Sequence, residues 1–250
     1  MFSKPRTISF VILLLMSMAF SSYSALWTEV LSETVIHTEK AGIMLAAVNY
    51  EKIIKDAETH KKYREILQFL SIYNPNDLPS KSAKMAFWIN VYNVAAVKMI
   101  VNHYPLKSIR DKSEFFTSVW DKKIITVGGI EYSLGHIEHE ILRKMGEPRV
   151  HFAIVCASLS CPDIRSEAYA PDLLEEQLEN QALSFINNPT KGLKISTKDG
   201  LIEVSSIFKW FEKDFKDKEG VVRFISQYSG QKLNSYKLKY LDYNWDLNSL

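Results

Sequence analysis

Nine glycines and eight prolines are few for 250 residues, and nowhere do they gather with serine into a run that reads as an interdomain linker. Without such a break, without internal repeats and without low-complexity sequence, the chain is expected to fold as one domain with a sizeable core. Clusters of Lys and Arg are missing too. Residues 1–24 carry two of the 31 basic residues and none of the 29 acidic ones, so the remainder is formally neutral. A neutral domain with no basic run lacks the means to neutralise phosphates, which excludes nucleic acid as a partner. Cysteine is scarce, and any thiol chemistry is confined to Cys156 and Cys161.

The N-terminus reads as an export signal. Lys4 and Arg6 precede an apolar stretch from Ile8 to Phe20, followed by the small polar run Ser21-Ser22-Tyr23-Ser24-Ala25. This is the charged, apolar and small-residue order of a cleavable secretory leader. The stretch is shorter than the roughly 20 residues of a membrane-spanning helix, and no cysteine follows it to take a lipid. The expectation is a leader over 1–24 and a single domain over 25–250, periplasmic or secreted, with no stable membrane insertion after cleavage.

Helix-forming sequence runs from Ala25 to about His103, broken at Tyr73–Ser80, and Lys81–His103 is apolar on nearly every face, which predicts a central buried helix. Beyond Pro105 the pattern turns β-like, with hairpins expected about Gly128-Gly129 and Asp199-Gly200. Val150–Cys156 reads as a short buried strand. Helices are expected over Ser133–Lys144, Pro171–Asn187 and Ser205–Tyr228, the last broken at Gly220. The fold class is therefore α+β: helix-rich, with a small, mostly antiparallel sheet of about five short strands.

Cys156 stands where the expected strand gives way to small residues, a place where a scaffold presents a side chain. As a thiolate it would be a nucleophile, given a base or positive dipole to lower its pKa. Alternatively, Cys156 and Cys161 form a disulfide in an oxidising compartment. Strand alternation points His151 away from Cys156, so His139, on a helix face with His136 and Arg143, is the candidate base. Two histidines and a cysteine without fixed spacing are a weak metal signal, and no metal or other cofactor is expected. Asn90 and Asn93 are amides on an otherwise apolar helix. They either tie it to a loop backbone or orient an imidazole or oxyanion. Arg143 and Arg165 are candidate clamps for a substrate carboxylate, with Trp88 a further substrate-binding residue.

Several segments together are similar to the bacterial and plant domain of unknown function 547. They are Val48-Asn49-Tyr50, Ala86–Asn93, Ile137–Arg143, Arg149–Cys156 with Ser160-Cys161-Pro162, and Tyr240–Trp245. The pattern departs at Gly135-His136, where acidic residues are expected. The resemblance implies that His139 and Cys156 both lie in family motifs, and a distant papain- or transglutaminase-like arrangement is the expectation that goes with them. Together these observations lead to a thiol-dependent enzyme of acyl transfer or amide hydrolysis acting on a peptide or small amide. The rival expectation is a non-catalytic binding module for a small ligand or peptide, with Cys156 and Cys161 paired.

Overall fold

The computed structural model describes residues 23–113 and 118–250. Most of the expected leader, residues 1–22, lies outside them. Helix α1 (23–34) leads into a hairpin of β1 (Val35–Lys40) and β2 (Ile43–Val48), then α2 (Tyr50–Lys55), α3 (Ala57–Ile72) and α4 (Lys81–Val101). A second hairpin, β3 (Lys123–Val127) and β4 (Ile130–Ser133), precedes α5 (Leu134–His136), which continues as a π-helical turn over Ile137–Leu142 and a 3-10 turn over Arg143–Met145. Short α6 (Val150–Ala153) and α7 (Leu174–Ile186) follow, then β5 (Leu193–Ser196), β6 (Leu201–Val204), α8 (Ile207–Trp210), α9 (Lys218–Ser229) and β7 (Lys237–Tyr240).

The α+β, helix-rich class holds. The strands, however, form three separate small sheets rather than one, and β7 joins β6 in parallel. The hairpins at Gly128-Gly129 and Asp199-Gly200 stand where expected. The hairpin β1–β2 replaces expected helix: its turn residues Ala41 and Gly42 both have positive φ, at 52° and 74°. That is the backbone a tight two-residue hairpin turn requires, but Ala in place of Asn or Asp hides it from composition.

Two further expectations are corrected. Val150–Cys156 is a helical turn followed by an extended loop, not a strand. A short apolar run looks the same to periodicity in either form, and no neighbouring strand pairs with this one. The break in the last helical region falls at Lys216, φ 79°, and Asp217 caps α9 by accepting from the Gly220 amide. Gly220 lies inside the helix because a Cβ there would stand 1.8 Å from the Phe215 carbonyl oxygen.

Helix α4 is the spine. Ser80 caps its N-terminus through the Ala83 amide at 3.0 Å. Phe87, Ile89, Val91, Val94, Ala95 and Ile100 are wholly buried in the larger of two apolar clusters. The other cluster gathers α7, β5, β6, α8 and α9 around Phe152. Phe152 belongs to the second cluster while its neighbours Val150 and Ala153–Val155 belong to the first. The 150–156 segment thus runs along the seam between them.

Candidate active site

The seam opens into a cleft of about 310 Å³ lined by Cys156, Cys161, Glu138, His139 and His151 and by a group of aromatic side chains. Two sets of contacts hold Cys156 at its floor. From beneath, the Asn93 amide donates to the Ala153 carbonyl at 3.0 Å and accepts the Val155 N–H at 3.0 Å, doing for this loop what a neighbouring strand would do. From above, the C-terminal tail runs alongside: Leu159 and Ser160 donate to the carbonyls of Asp246 and Asn244, and Asn248 donates to that of Ala157. Ala157, immediately after Cys156, sits at φ 57°, a left-handed conformation that an Ala adopts only when its surroundings impose it. The thiol is thereby presented on a tight, pinned turn.

Both cysteines are free thiols in the structure. Cys161 Sγ accepts the Cys156 N–H at 2.8 Å, and the Cys156 sulfur has the Ser158 and Tyr243 hydroxyls at 3.1 and 3.3 Å. Burial pushes this thiol up, but hydrogen bonds from Cys161, Ser158 and Tyr243 outweigh it and bring the pKa down to about 7. Cys161 is held well above its ordinary value by burial and by its neighbour, so it stays protonated as donor.

The two imidazoles of the cleft differ in what each has left to give. His139 is exposed, and its Nδ1 accepts from Arg143 Nη1 at 3.0 Å, so the lone pair that would make it a base is already engaged. Burial and the adjacent guanidinium hold it below the usual histidine value. His151, expected to point away, lines the same cleft because its segment is helical. Its ring stacks on Phe211 at 4.0 Å, and Nε2 lies 2.7 Å from Asp214 Oδ2. Burial lowers its pKa to about 4, so the resting ring is neutral. Asp214 is kept ionised by a two-pronged contact with Arg143, at 2.6 and 2.8 Å. Nε2–H therefore donates to the carboxylate, and the lone pair falls on Nδ1, which is buried and has no hydrogen-bond partner.

Several expected site residues take other roles. Asn90 donates to the Tyr169 carbonyl at 2.8 Å and accepts its N–H at 2.9 Å. Asn90 and Asn93 are thus backbone ties, and neither lines the cleft. Arg143 is engaged by Asp214 through Nε and Nη2 and by His139 through Nη1. Arg165 lies outside the cleft, bonded to Glu167 and positioned over the Tyr169 ring. Trp88 is a core residue packed edge-on against Phe87 and Tyr132. His136 packs against Tyr132, and among the described residues no three His, Cys, Asp or Glu side chains are grouped to hold a metal.

Glu138, Asp214, Ser158 and Tyr243 are site residues absent from those expected from the sequence. Glu138 was within reach, lying four residues from both Leu134 and Leu142 on the apolar stripe of its helix. It is buried, accepts from the Tyr92 hydroxyl at 3.2 Å, and burial drives its carboxyl up to about 7 against that bond. Asp214 sits in the highly charged stretch Glu212–Glu219, where nothing in sequence distinguishes it.

A family profile described as Protein of unknown function, DUF547, matches residues 75–186. Over those residues, a little under half of the sequence, the chain is similar to the DUF547 family. No curated protein and no solved structure matches the chain. The DUF547 segment contains Cys156, Cys161, both imidazoles, Glu138 and the two tying amides. Asp214, Phe211, Tyr243 and Trp245 reach the cleft from beyond it. No helix of the described residues is long and apolar enough to cross a membrane.

Proposed function

We propose that this protein is a thiol-dependent enzyme of acyl transfer or hydrolysis, with Cys156 as nucleophile, acting on an amide or ester after export to a periplasmic or other extracytoplasmic space. One observation carries the proposal. Cys156, partly buried on a pinned turn, shares a cleft with an imidazole whose Nε2 is held by an ionised carboxylate and whose Nδ1 is left unpartnered. That division of labour within one ring is what a thiol nucleophile needs. His151 replaces His139 as base, and Asp214, itself oriented by Arg143, fixes the tautomer.

In the first half-reaction Nδ1 of His151 takes the thiol proton and the Cys156 sulfur forms a bond to the acyl carbon. The leaving amine or alcohol departs with the electron pair of the broken bond and receives that proton. Water, or an acceptor amine, then attacks the thioester with His151 again as base, restoring the thiol. Burial alone makes His151 a weak base, but a thiolate formed in the same cleft favours the imidazolium.

Supporting the rival reading of a binding module is the closeness of Cys161 to the Cys156 backbone, since oxidation of the pair would leave a cleft without a nucleophile. Alkylation with iodoacetamide, followed by intact mass and peptide mapping, separates the two. The enzyme reading expects rapid labelling of Cys156 near neutral pH, together with turnover of p-nitrophenyl acetate that is slowed at least tenfold by His151→Asn and much less by His139→Ala. Absence of any free thiol in protein isolated from its export compartment, or equal slowing by both variants, contradicts it.

A further inference from the structure

The lining of the cleft bears on what is transferred, and this inference rests on the thiol reading above. Trp210, Tyr243 and Trp245 form a packed aromatic wall, with ring centroids 4.5 to 5.6 Å apart, and Trp120 meets Trp245 edge-on at 5.7 Å. Phe211 completes the wall, lying flat against His151. Among the described residues no Lys or Arg lines the cleft. The nearest guanidiniums are already occupied: Arg143 by Asp214 and the face of Phe211, and Arg110 by the face of Trp245 at 5.0 Å. The ionisable groups that do line it are Glu138, the two cysteines, Tyr92 and Tyr243, and two histidines held neutral, so any charge the cleft acquires is negative. An incoming carboxylate would meet an apolar wall and a like charge, and an unpaired ion in such surroundings is strongly disfavoured.

We infer that the cleft is an acyl-binding site for an uncharged apolar group, alkyl or aromatic, and that it rejects acyl groups bearing a carboxylate. Its volume of about 310 Å³ is roughly twice the cavity of about 150 Å³ known to take benzene. The site reads the acyl part of the substrate through contact with Trp210, Trp245 and Tyr243, while the leaving group extends toward solvent.

The test uses p-nitrophenyl esters of acetate, butanoate and hexanoate and the mono-ester of glutarate, whose acyl group ends in a carboxylate. Acylation forms the bond from Cys156 sulfur to the acyl carbon and breaks the ester bond; nitrophenolate leaves with the electron pair and the thiol proton passes to His151. The burst of nitrophenolate and the mass of the acylated protein are read together. The acylation rate constant is expected to rise by about fourfold per added methylene, and the glutaryl ester to react at least tenfold more slowly than the butanoyl ester. Trp210→Ala, at a half-exposed position, is expected to lower the ratio of hexanoyl to acetyl rates.

A rate independent of chain length, or preference for the glutaryl ester, overturns the inference while iodoacetamide labelling of the same wild-type protein leaves the thiol reading standing. Should that labelling fail as well, binding decides separately. In Cys156→Ser protein, hexanamide is expected to alter tryptophan fluorescence saturably and glutarate to leave it unchanged. A response to glutarate, or none to hexanamide, overturns the apolar site whatever the thiol does.

Discussion

Replacing Glu138 by Gln isolates the energetic cost of a carboxyl that the fold buries beside the thiol. Burial raises this group from an ordinary 4.5 to about 7. At 1.36 kcal/mol per pKa unit the ionised form is disfavoured in the folded state by about 3 kcal/mol. The sign follows from proton counting: between pH 4.5 and 7 the unfolded chain has lost this proton while the folded protein keeps it, so stability falls as pH rises and levels off above 7. Gln cannot titrate. It retains an oxygen to accept from Tyr92 but buries an amide NH2, which shifts its whole curve by a pH-independent amount of about 1–3 kcal/mol. The informative quantity is therefore the change in the difference between the two proteins. Urea denaturation followed by tryptophan fluorescence, with both proteins in a Cys156→Ser background to remove the thiol's titration, is expected to show Glu138→Gln gaining about 3 kcal/mol on the parent between pH 4.5 and 8. For a chain of this size that is roughly 6–12 °C in Tm. A difference that stays constant within about 0.5 kcal/mol across this range would refute the reasoning, because the carboxyl would then titrate alike in folded and unfolded states.

The remaining expectations concern how the thiol is mounted and where the mature chain begins. Asn93→Ala leaves the Ala153 carbonyl and the Val155 N–H without their partner, a loss of about 2–5 kcal/mol readable by urea denaturation; a cost below about 1 kcal/mol would mean that water replaces the amide freely. Ala157→Gly relieves the left-handed strain at φ 57° and is expected to stabilise the fold by about 1 kcal/mol, whereas destabilisation would place the strain elsewhere. Tyr23 is buried, stacked on Phe69 at 5.2 Å and packed against Phe87. Removing residues 1–24 would empty that position at a cost of about 3–5 kcal/mol. Cleavage after Ala19-Phe20-Ser21 keeps the ring and still offers small residues at the cut. Under the export proposed above, N-terminal sequencing of the mature chain should read Ser22, and a chain beginning at Ala25 contradicts this.

Much of the architecture was legible where local chemistry is decisive. Gly128-Gly129 and Asp199-Gly200 announce their turns, and α4 is apolar on so many faces that only a central position accommodates it. The two amides on that helix were recognisable as groups requiring partners, and both found them in backbone. The failures have physical causes. Ala41-Gly42 makes a hairpin without the residues that usually signal one. The run Val150–Cys156 has the composition of a strand, but Asn93 supplies from a helix the hydrogen bonds a strand partner would supply. That one misassignment turned His151 away from Cys156 and passed the role of base to His139. Asp214, 63 residues from His151 in sequence and surrounded by other charges, is singled out only by the long-range fold that brings it to Nε2.

The central claim is that Cys156 is held ready as a thiolate by the hydrogen bonds that Cys161, Ser158 and Tyr243 offer its sulfur. The pH dependence of Cys156 alkylation tests it most directly, because the thiolate alone reacts. The rate should climb as pH rises through about 7, well below the 9.0 of an ordinary thiol, and level off above, with Tyr243→Phe moving the midpoint upward through loss of a donor to the sulfur. A midpoint near 9, indifferent to Tyr243, would mean that Cys156 is an ordinary thiol and would contradict the account.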